Sequence, residues 1–585
     1  RGEEGMKTGY NNFEVAIFFT IRDVEEAAAD QKLLEEKLNF TQKHLKFGKV
    51  YLETYRGNHL IEKEKILRIK QFFEDRGVKA SGALTTSVYG NWEFKTFCYT
   101  NKGHLEELQE VVRFTAEIFD EIILDDFYFT NCKCESCIAA KGDKTWSRFR
   151  TELLQEVSEE IVMKTAKEAN PNVNMIIKYP NWYDDYQSTG YNLEAGPKTF
   201  DLIYTGTETR NPQYTQQNLQ RYISYFLMRY LENVKPGKNG GGWFDTFDCL
   251  YNMGSYVEQA YLTLFAKGRE VTLFCAGLLM SRGSIFVPLA GYVFEQVDKF
   301  LGQLGSPVGV PCYKPYHSKG ENYLHGYLGM LGIPLEPKPE FSSSGNVLFL
   351  TESAAQDGQI VEKIKEQLQA GKKVIITSGL LRELQEAGRP GEKANVGVGT
   401  IEEIAEVRYT DKKAAVKEFA YPMYECSFAN YAQGAKEVLI PQIEYSTNDT
   451  WQVIVGFSEN NSFPLLLEAK YAKGSMYILT VPENPGDLYN LPEEVINKLR
   501  QVFTADFDLH IEGSANLGLF LYDNNTFIVE SFLPYFADGR VVLNRPGAEL
   551  TDLVTGEKIK GNTCGEETVF TLKLEPTTYR VLRYD

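Results

Sequence analysis

The 585-residue chain has no run of about 20 apolar residues, so no segment reads as a bilayer-spanning helix. Histidine is scarce, at 6 residues. His44, His59 and His104 fall in helical or loop segments, which disfavours a His-based metal hydrolase. No Ser-His-Asp order emerges either. Positive charge is short of negative: 62 Lys and Arg stand against 80 Asp and Glu, a formal net charge of −18. So acidic a surface repels phosphate backbones and anionic lipids, which argues against nucleic acid and membrane partners. Residues Arg1 to Asn12 lack the apolar core of a signal peptide. The expectation is a soluble protein, with the bacterial cytoplasm favoured over the periplasm. There is no internal repeat, coiled coil or low-complexity tract. Nine cysteines, an odd number spread along the chain, do not form a disulfide framework.

What is present is an alternation of short apolar runs with longer amphipathic stretches. Candidate strands are Glu14–Thr20, Lys49–Tyr55, Lys79–Thr86, Glu121–Phe129, Asn174–Tyr179, Leu202–Thr207, Gly242–Phe247 and Glu270–Ala276. Helix-period segments lie between most of them, at Ala28–Lys46, Glu62–Asp75, His104–Phe119, Trp146–Glu168 and Thr215–Glu232. Eight strand–helix units in about 270 residues match the size and rhythm of a (β/α)₈ TIM barrel better than those of a doubly wound sheet. Around Pro307–Pro339 the chain turns rich in Gly, Pro and Tyr. A second α/β pattern follows: an NVLFL strand from Asn346, a helix over Asp357–Ala370 and a strand at Lys373–Thr377, a flavodoxin-like unit. Beyond Gln442 short alternating strands dominate, the pattern of a β-sandwich. The expected domains are a catalytic barrel over 1–320, a flavodoxin-like α/β domain over 321–440 and a β-rich domain over 441–585.

Barrel enzymes place catalytic groups at the carboxyl ends of strands. Those positions hold Thr20 and Arg22, Glu53 and Arg56, Asp125 and Asp126, Lys178, Tyr179 and Trp182, Glu208 and Arg210, and Trp243 and Asp245. Several carboxylates at one polar, aromatic mouth suit glycoside hydrolysis. One carboxyl group protonates the leaving oxygen while another attacks the anomeric carbon or activates water. Asp125, Asp126, Glu208 and Asp245 are the catalytic candidates. Lys178, Tyr179, Trp182, Arg210, Trp243, Glu53 and Arg22 are the candidates for substrate binding, the two Trp residues as stacking faces. Each has a plain structural reading beside this one. Asp125–Asp126 suits a strand terminator, Glu208 an ion pair with Arg210, Lys178 or Arg56, and Glu53 a buried structural acid. Arg210, Lys178, Arg22 and Arg56 also admit a sugar that carries a carboxylate or sulfate, held by a bidentate Arg.

Immediately after the fourth strand, Cys132, Cys134 and Cys137 form a C-x-C-x₂-C cluster, and Cys98 lies one strand upstream. Four thiolates at about 2.3 Å would make a closed structural zinc site, with no organic cofactor implied. A cysteine cluster so placed, together with the domain order, resembles the family-42 β-galactosidases. The resemblance implies a barrel, an amidotransferase-like trimerisation domain without its catalytic cysteine, a small β domain and a homo-oligomer, dimer or trimer. Ser378-Gly379-Leu380 after the KVIIT strand carries no thiol, in keeping with this. That family carries an Asn-Glu acid/base at strand four and a Glu nucleophile at strand seven. Here Asp125–Asp126 and Asp245 stand instead, which implies a relative outside the family and carries over no β-galactosidase activity. A carboxylate at strand four with Glu208 at strand six is the layout of several α-glycosidase clans. Two catalytic pairs therefore compete, Asp126 with Asp245 and Asp126 with Glu208. A catalytically inactive carbohydrate-binding or scaffold protein on the same barrel is the alternative to the enzyme.

Overall fold

The computed structural model describes residues 9–88, 95–215, 217, 219–281, 284–385, 400–422, 430–446 and 448–585. The chain divides into two compact units, Arg1–Gly302 and Gln303–Asp585.

The first unit is a closed barrel of eight parallel strands. They are β1 (Glu14–Phe19), β2 (Lys49–Arg56), β3 (Lys79–Leu84), β4 (Glu121–Leu124), β5 (Asn174–Tyr179), β6 (Leu202–Gly206), β7 (Asn239–Asp245) and β8 (Glu270–Phe274). Each pairs with its successor, and β8 pairs with β1 to close the ring. Side chains alternate in and out along a strand. The inward set is apolar at mid-height, where Phe18, Tyr51, Ala83, Ile123, Ile176, Tyr204, Trp243 and Phe274 give one residue from every strand.

Polar layers lie above and below this plug. At the amino ends of the strands, Lys49 pairs with Glu270 at 2.9 Å and with Glu121, and Lys79 reaches Glu121 at 2.9 Å. The Tyr51 and Tyr204 hydroxyls donate to Glu270 at 2.8 and 3.0 Å. Two lysines balance two glutamates there, a self-satisfied network at the end of the fold that serves stability.

Local sequence explains where the elements depart from expectation. The continuous helix expected over Ala28–Lys46 is two, Ile21–Ala29 and Gln31–His44. The Asp30 side chain accepts the Leu33 N–H and restarts the helix. The strand expected to run from Glu121 to Phe129 stops at Leu124, and Asp125–Asp126 opens a turn instead. The helix expected from Thr215 begins only at Ile223.

The second unit holds two further cores. Five parallel strands, Leu335–Lys338, Val310–Tyr313, Val347–Leu350, Lys373–Thr377 and Gly474–Leu479, neighbour one another in that spatial order. In chain order this is 2-1-3-4-5, the flavodoxin-like arrangement. Antiparallel strands Asn461–Tyr471, Thr450–Ser458, Val407–Tyr421 and Asn430–Tyr445 extend the same sheet. The expected boundaries at 320 and 440 therefore lie elsewhere. Residues 310–313 supply the first strand of this sheet, and the strands from 450 to 479 belong to it and not to the C-terminal domain. Alternation reports one buried face; it does not say which sheet a strand joins. From Leu509 onward five strands, joined by Pro307–Val308 into a six-stranded sheet, and a second sheet of four enclose a common apolar core that includes Leu519, Phe527, Val541, Phe570 and Leu582, a β-sandwich. Among the described residues no helix is long and apolar enough to cross a membrane.

Candidate active site

Continuing the inward positions by one step brings the strands to their carboxyl ends. Glu53 follows Tyr51, Thr85 follows Ala83, Asp125 follows Ile123, Lys178 follows Ile176 and Asp245 follows Trp243. Gly206 and then Glu208 continue from Tyr204. The barrel's alternation thus gathers these groups on one rim.

Lys178 is the hub. Its Nζ lies 2.8 Å from Asp126 Oδ2, 2.7 Å from Glu208 Oε1 and 3.6 Å from Asp125 Oδ1. The ammonium sits over the Trp243 ring, 4.2 Å from its centroid, and that ring stacks on Phe274. The Asp126 and Glu208 oxygens that share Lys178 are therefore at most about 5.5 Å apart, the sum of the two contacts. Asp126 keeps 18% of its side chain exposed, more than Glu208 at 6% or Asp125 at 5%.

The remaining acids are held by arginine. Arg56 reaches Glu53 at 2.9 Å and Asp125 at 3.1 Å, and Thr85 donates to both carboxylates. Glu53 also accepts the Ile21 N–H at 2.6 Å. Arg210 grips Asp245 with both edges of its fork, Nε to Oδ1 at 3.0 Å and an Nη to Oδ2 at 2.8 Å. Asp245 also accepts the Phe247 N–H at 3.1 Å. Arg210 has a left-handed backbone, φ 54°, and its N–H is caught by Gln259 at 3.0 Å.

Among the described residues these five acids face three cations, so this set carries two more negative than positive groups when all are ionised. Proton affinities follow. Enclosure pushes the Asp126 carboxyl up to about 7. Lys178 opposes this, while Asp125 and Glu208 add to it. Asp245 is pushed up to about 6 by enclosure, against the pull of Arg210 and with a contribution from Glu208. Burial also raises Glu53. Asp125 is held low, because Lys178 and Arg56 outweigh its burial. Lys178 stays firmly protonated: burial works against its charge, but Asp126, Glu208 and Asp125 prevail.

Three expected substrate contacts lie elsewhere. Arg22 points to solvent, 85% exposed and paired with Glu26, because its helix buries Ile21, Val24, Ala27 and Ala28. Tyr179 is an outward residue of β5, buried against Tyr186 and Tyr191 behind the strand. Trp243 is 2% exposed and forms the floor beneath Lys178, so its ring is no open stacking face. Trp182 stands edge-on to Phe129 in the loop after β5. Asn181 donates to the Glu208 carbonyl at 2.8 Å, and sequence reasoning passed over Thr85 and Gln259. Thr85 was open to the same period-two argument that finds Asp125. Gln259 lies on a helix and carries no such signal.

Beside the rim the four cysteines come together. The Cys98, Cys132, Cys134 and Cys137 sulfurs all lie within 4.8 Å of one another, with Cys98 3.7 Å from Cys134 and 3.5 Å from Cys137. Tetrahedral thiolates on one zinc stand about 3.8 Å apart, given bonds of about 2.3 Å. The four residues can hold a metal ion. The exposed Cys134 thiol is lowered to about 6, chiefly by the Ser136 hydroxyl and the Cys137 N–H.

A closed barrel with carboxylates converging on its carboxyl rim is the layout of a glycosyl-hydrolase-like catalytic domain. Residues 3–288 match the model of the family described as "Probable glycosyl hydrolase, catalytic domain". Residues 305–484 match "Uncharacterized protein SSO3021, second domain", and 508–584 match "Probable glycosyl hydrolase, C-terminal domain". The uncharacterized protein SSO3021 of Saccharolobus solfataricus is 26% identical over 513 residues, covering 80% of this chain and 82% of that protein. Among solved structures, Gan42B, a GH42 β-galactosidase from G. stearothermophilus, is similar with a TM-score of 0.65 at 12% identity, covering 99% of both chains. α-L-Fucosidase isoenzyme 2 from Paenibacillus thiaminolyticus gives 0.65 at 13% identity, covering 98% of this chain and 99% of that one. Identities so low show the fold alone. The chain carries its glycosyl-hydrolase-like domain on the family-42 architecture, and its rim residues set it outside that family.

Proposed function

We propose that the barrel is a glycosidase that removes a terminal neutral sugar with retention of configuration, using Asp126 and Glu208 as its paired carboxyl groups. The observation that carries this is Lys178 bridging the two at 2.8 and 2.7 Å. Retaining enzymes hold their carboxyl groups about 5–5.5 Å apart, inverting ones about 6.5–9.5 Å. Asp245 fits the role less well, since Arg210 and the Phe247 N–H already occupy its oxygens. In the proposed cycle one carboxyl group protonates the leaving oxygen and the other forms a glycosyl ester, which water then hydrolyses with the first group acting as base. Azide divides the roles. Glycine variants at 126 and 208 are expected to be rescued, the nucleophile variant giving a glycosyl azide of inverted configuration and the acid/base variant one of retained configuration.

A neutral sugar follows from the charges. Arg56, Lys178 and Arg210 are each bound to protein carboxylates, Arg22 is remote, and among the described rim residues acid remains in excess. A uronic or sialic acid would enter against that charge. Nitrophenyl glycosides of neutral sugars are expected to be cleaved faster than the uronides; the reverse order removes this part of the proposal. Turnover that disappears in Asp126→Asn excludes the inactive binding-protein alternative.

Gly206 supplies a finer test. A Cβ there would lie 2.6 Å from Glu208 Oε2 and 3.2 Å from Pro180 Cα, so it fits only if Glu208 moves. Gly206→Ala should lower kcat by about 100-fold, the cost of displacing a catalytic group by about 1 Å. A kcat within about threefold of wild type would show that Glu208 has no such role.

Proton linkage gives a further expectation. Asp126 and Asp245 have folded-state values near 7 and 6, above the ordinary 3.8. Between pH 4 and 7 the folded chain holds protons that the unfolded chain releases, so the stability these groups add at low pH is lost as pH rises through 6–7. Asp126→Asn keeps the shape without that ionisation. Its Tm relative to wild type should increase from pH 5 to pH 8, and a constant difference contradicts the shift.

The cysteine cluster is proposed to hold structural zinc, which would tie the loop after β3 to the loop after β4. Metal analysis should give about one zinc per chain, and a strong chelator should lower Tm. Less than about half an equivalent leaves four plain thiols. The flavodoxin-like domain is proposed to be a non-catalytic, amidotransferase-like scaffold, since the residue after its fourth parallel strand is Ser378, whose buried oxygen accepts the Val481 N–H at 3.0 Å.

A further inference from the structure

In the second unit one carboxyl group sits where this type of sheet binds ligands. With strand order 2-1-3-4-5, the crevice lies outside the carboxyl ends of the strands, beside the switch point between Val310–Tyr313 and Val347–Leu350. Glu321 reaches into it. Its Oε2 accepts the Glu352 N–H at 2.9 Å and the Thr377 hydroxyl at 2.8 Å, and its Oε1 accepts the Gly379 N–H at 3.3 Å. Glu352 and Thr377 stand at the ends of two neighbouring parallel strands, so the carboxyl group spans both.

The surroundings are shaped to it. A Cβ on Gly379 would lie 2.5 Å from Glu321 Oε1, so glycine there leaves the room the carboxyl group fills. Gly320, at φ 155°, passes the Glu352 side chain at a distance that a Cβ would close to 2.7 Å. The backbone that delivers Glu321 is left-handed at three successive residues, with φ of 55°, 41° and 62° for Glu321, Asn322 and Tyr323. Such conformations persist only where surrounding contacts over-determine them. Enclosure pushes the Glu321 carboxyl up to about 7, with Glu352 adding to the effect and the three donors opposing it.

We propose that this crevice is a carboxylate-binding site whose ligand is the chain's own Glu321, which closes it to free molecules. The donor set matches that ligand class: two backbone N–H groups and a hydroxyl converge on the two oxygens of one planar carboxyl group. Nothing in this depends on the glycosidase reading of the barrel.

Vacating the crevice should create a site for a small free carboxylate. The test compares wild type, Glu321→Gln and Glu321→Gly, as full chains, in sodium acetate and in sodium chloride of equal concentration. Glu321→Gly is expected to melt lower than wild type in chloride and to regain about 2–4 °C in acetate, as a ligand that binds only the folded form stabilises it. Wild type and Glu321→Gln, whose crevices stay filled, should show no difference between the two salts. An equal acetate effect on all three, or none on Glu321→Gly, overturns the proposal. If Glu321→Gly does not fold in chloride, recovery of folded chain on refolding into acetate is the same readout, and no recovery counts against the site. Crystals of Glu321→Gly soaked in acetate should show the ion on the Glu352 and Gly379 N–H groups; its absence there also overturns the assignment. Nitrophenyl glycoside turnover by the same variant reports separately on the barrel.

Discussion

Glu208→Gln and Asp126→Asn are each expected to reduce kcat on the best nitrophenyl glycoside by about 10³–10⁴-fold, near the upper range for loss of a positioned proton-transfer or attacking group. Both amides preserve shape and can still meet Lys178 through their oxygen, so the folded rim survives and the loss reads as chemistry. In the proposed mechanism the two groups act on one bond, and their Lys178-bound oxygens lie within about 5.5 Å of each other. Their effects should not multiply: the double variant is expected to sit close to the worse single one, as for residues that work as a unit. Asp245→Asn supplies the contrast. Its oxygens hold Arg210 and the Phe247 N–H, so it should act mainly through rim geometry and cost less than either member of the pair. If Asp245→Asn is the most damaging of the three, the competing pair of Asp126 and Asp245 is the correct one.

Lys178→Met should be the most destabilising single change at the rim. Its ammonium is 2% exposed and touches Asp126, Glu208 and Asp125 within 3.6 Å. Methionine can fill the space above Trp243, but it leaves three enclosed carboxyl groups without their shared cation. Removing one partner of a buried ion pair costs about 3–5 kcal/mol. At about 2–4 °C per kcal/mol for domains of about 150–250 residues, this is roughly 6–20 °C in the melting of the barrel. The deficit has a sign in pH. Without Lys178, Asp125 and Asp126 lose the cation that opposes their burial, so their protonation relieves the repulsion, and the loss of Tm should be smaller at pH 5 than at pH 8. Activity should fall with it, because neither of the two oxygens proposed to be catalytic keeps its position. A Lys178→Met chain that melts like wild type at pH 8 would show that the three acids are not a coupled set.

Much of this was legible in the sequence, and the parts that were not have identifiable causes. The barrel followed from eight apolar runs at regular spacing, and the rim acids followed from the rule that barrel chemistry sits at strand ends. A place at a strand end does not by itself say which way a side chain faces. Lys178 points inward, so its neighbour Tyr179 must point outward, and it packs behind the strand. Trp243 faces inward but lies one layer below Asp245, which makes it floor and not wall. Arg22 lies one residue past the start of a helix whose buried stripe begins at Ile21, and helical phase sends it to solvent. The arginine clamps on Asp125 and Asp245 were invisible, because a pairing across β2 and β4, or β6 and β7, depends on side-chain reach. The domain boundary failed for a related reason: Gly474–Leu479 looks like any short strand, yet it pairs in parallel with Lys373–Thr377, about 100 residues earlier. Pairing over so long a separation leaves no local mark.

In the proposed mechanism Asp126 and Glu208 share Lys178 at a spacing suited to double displacement. Proton NMR of the first-formed sugar, recorded on the best nitrophenyl glycoside before mutarotation, tests it most directly. The product should appear first with the anomeric configuration of the substrate; an initial product of the opposite configuration would contradict the paired assignment.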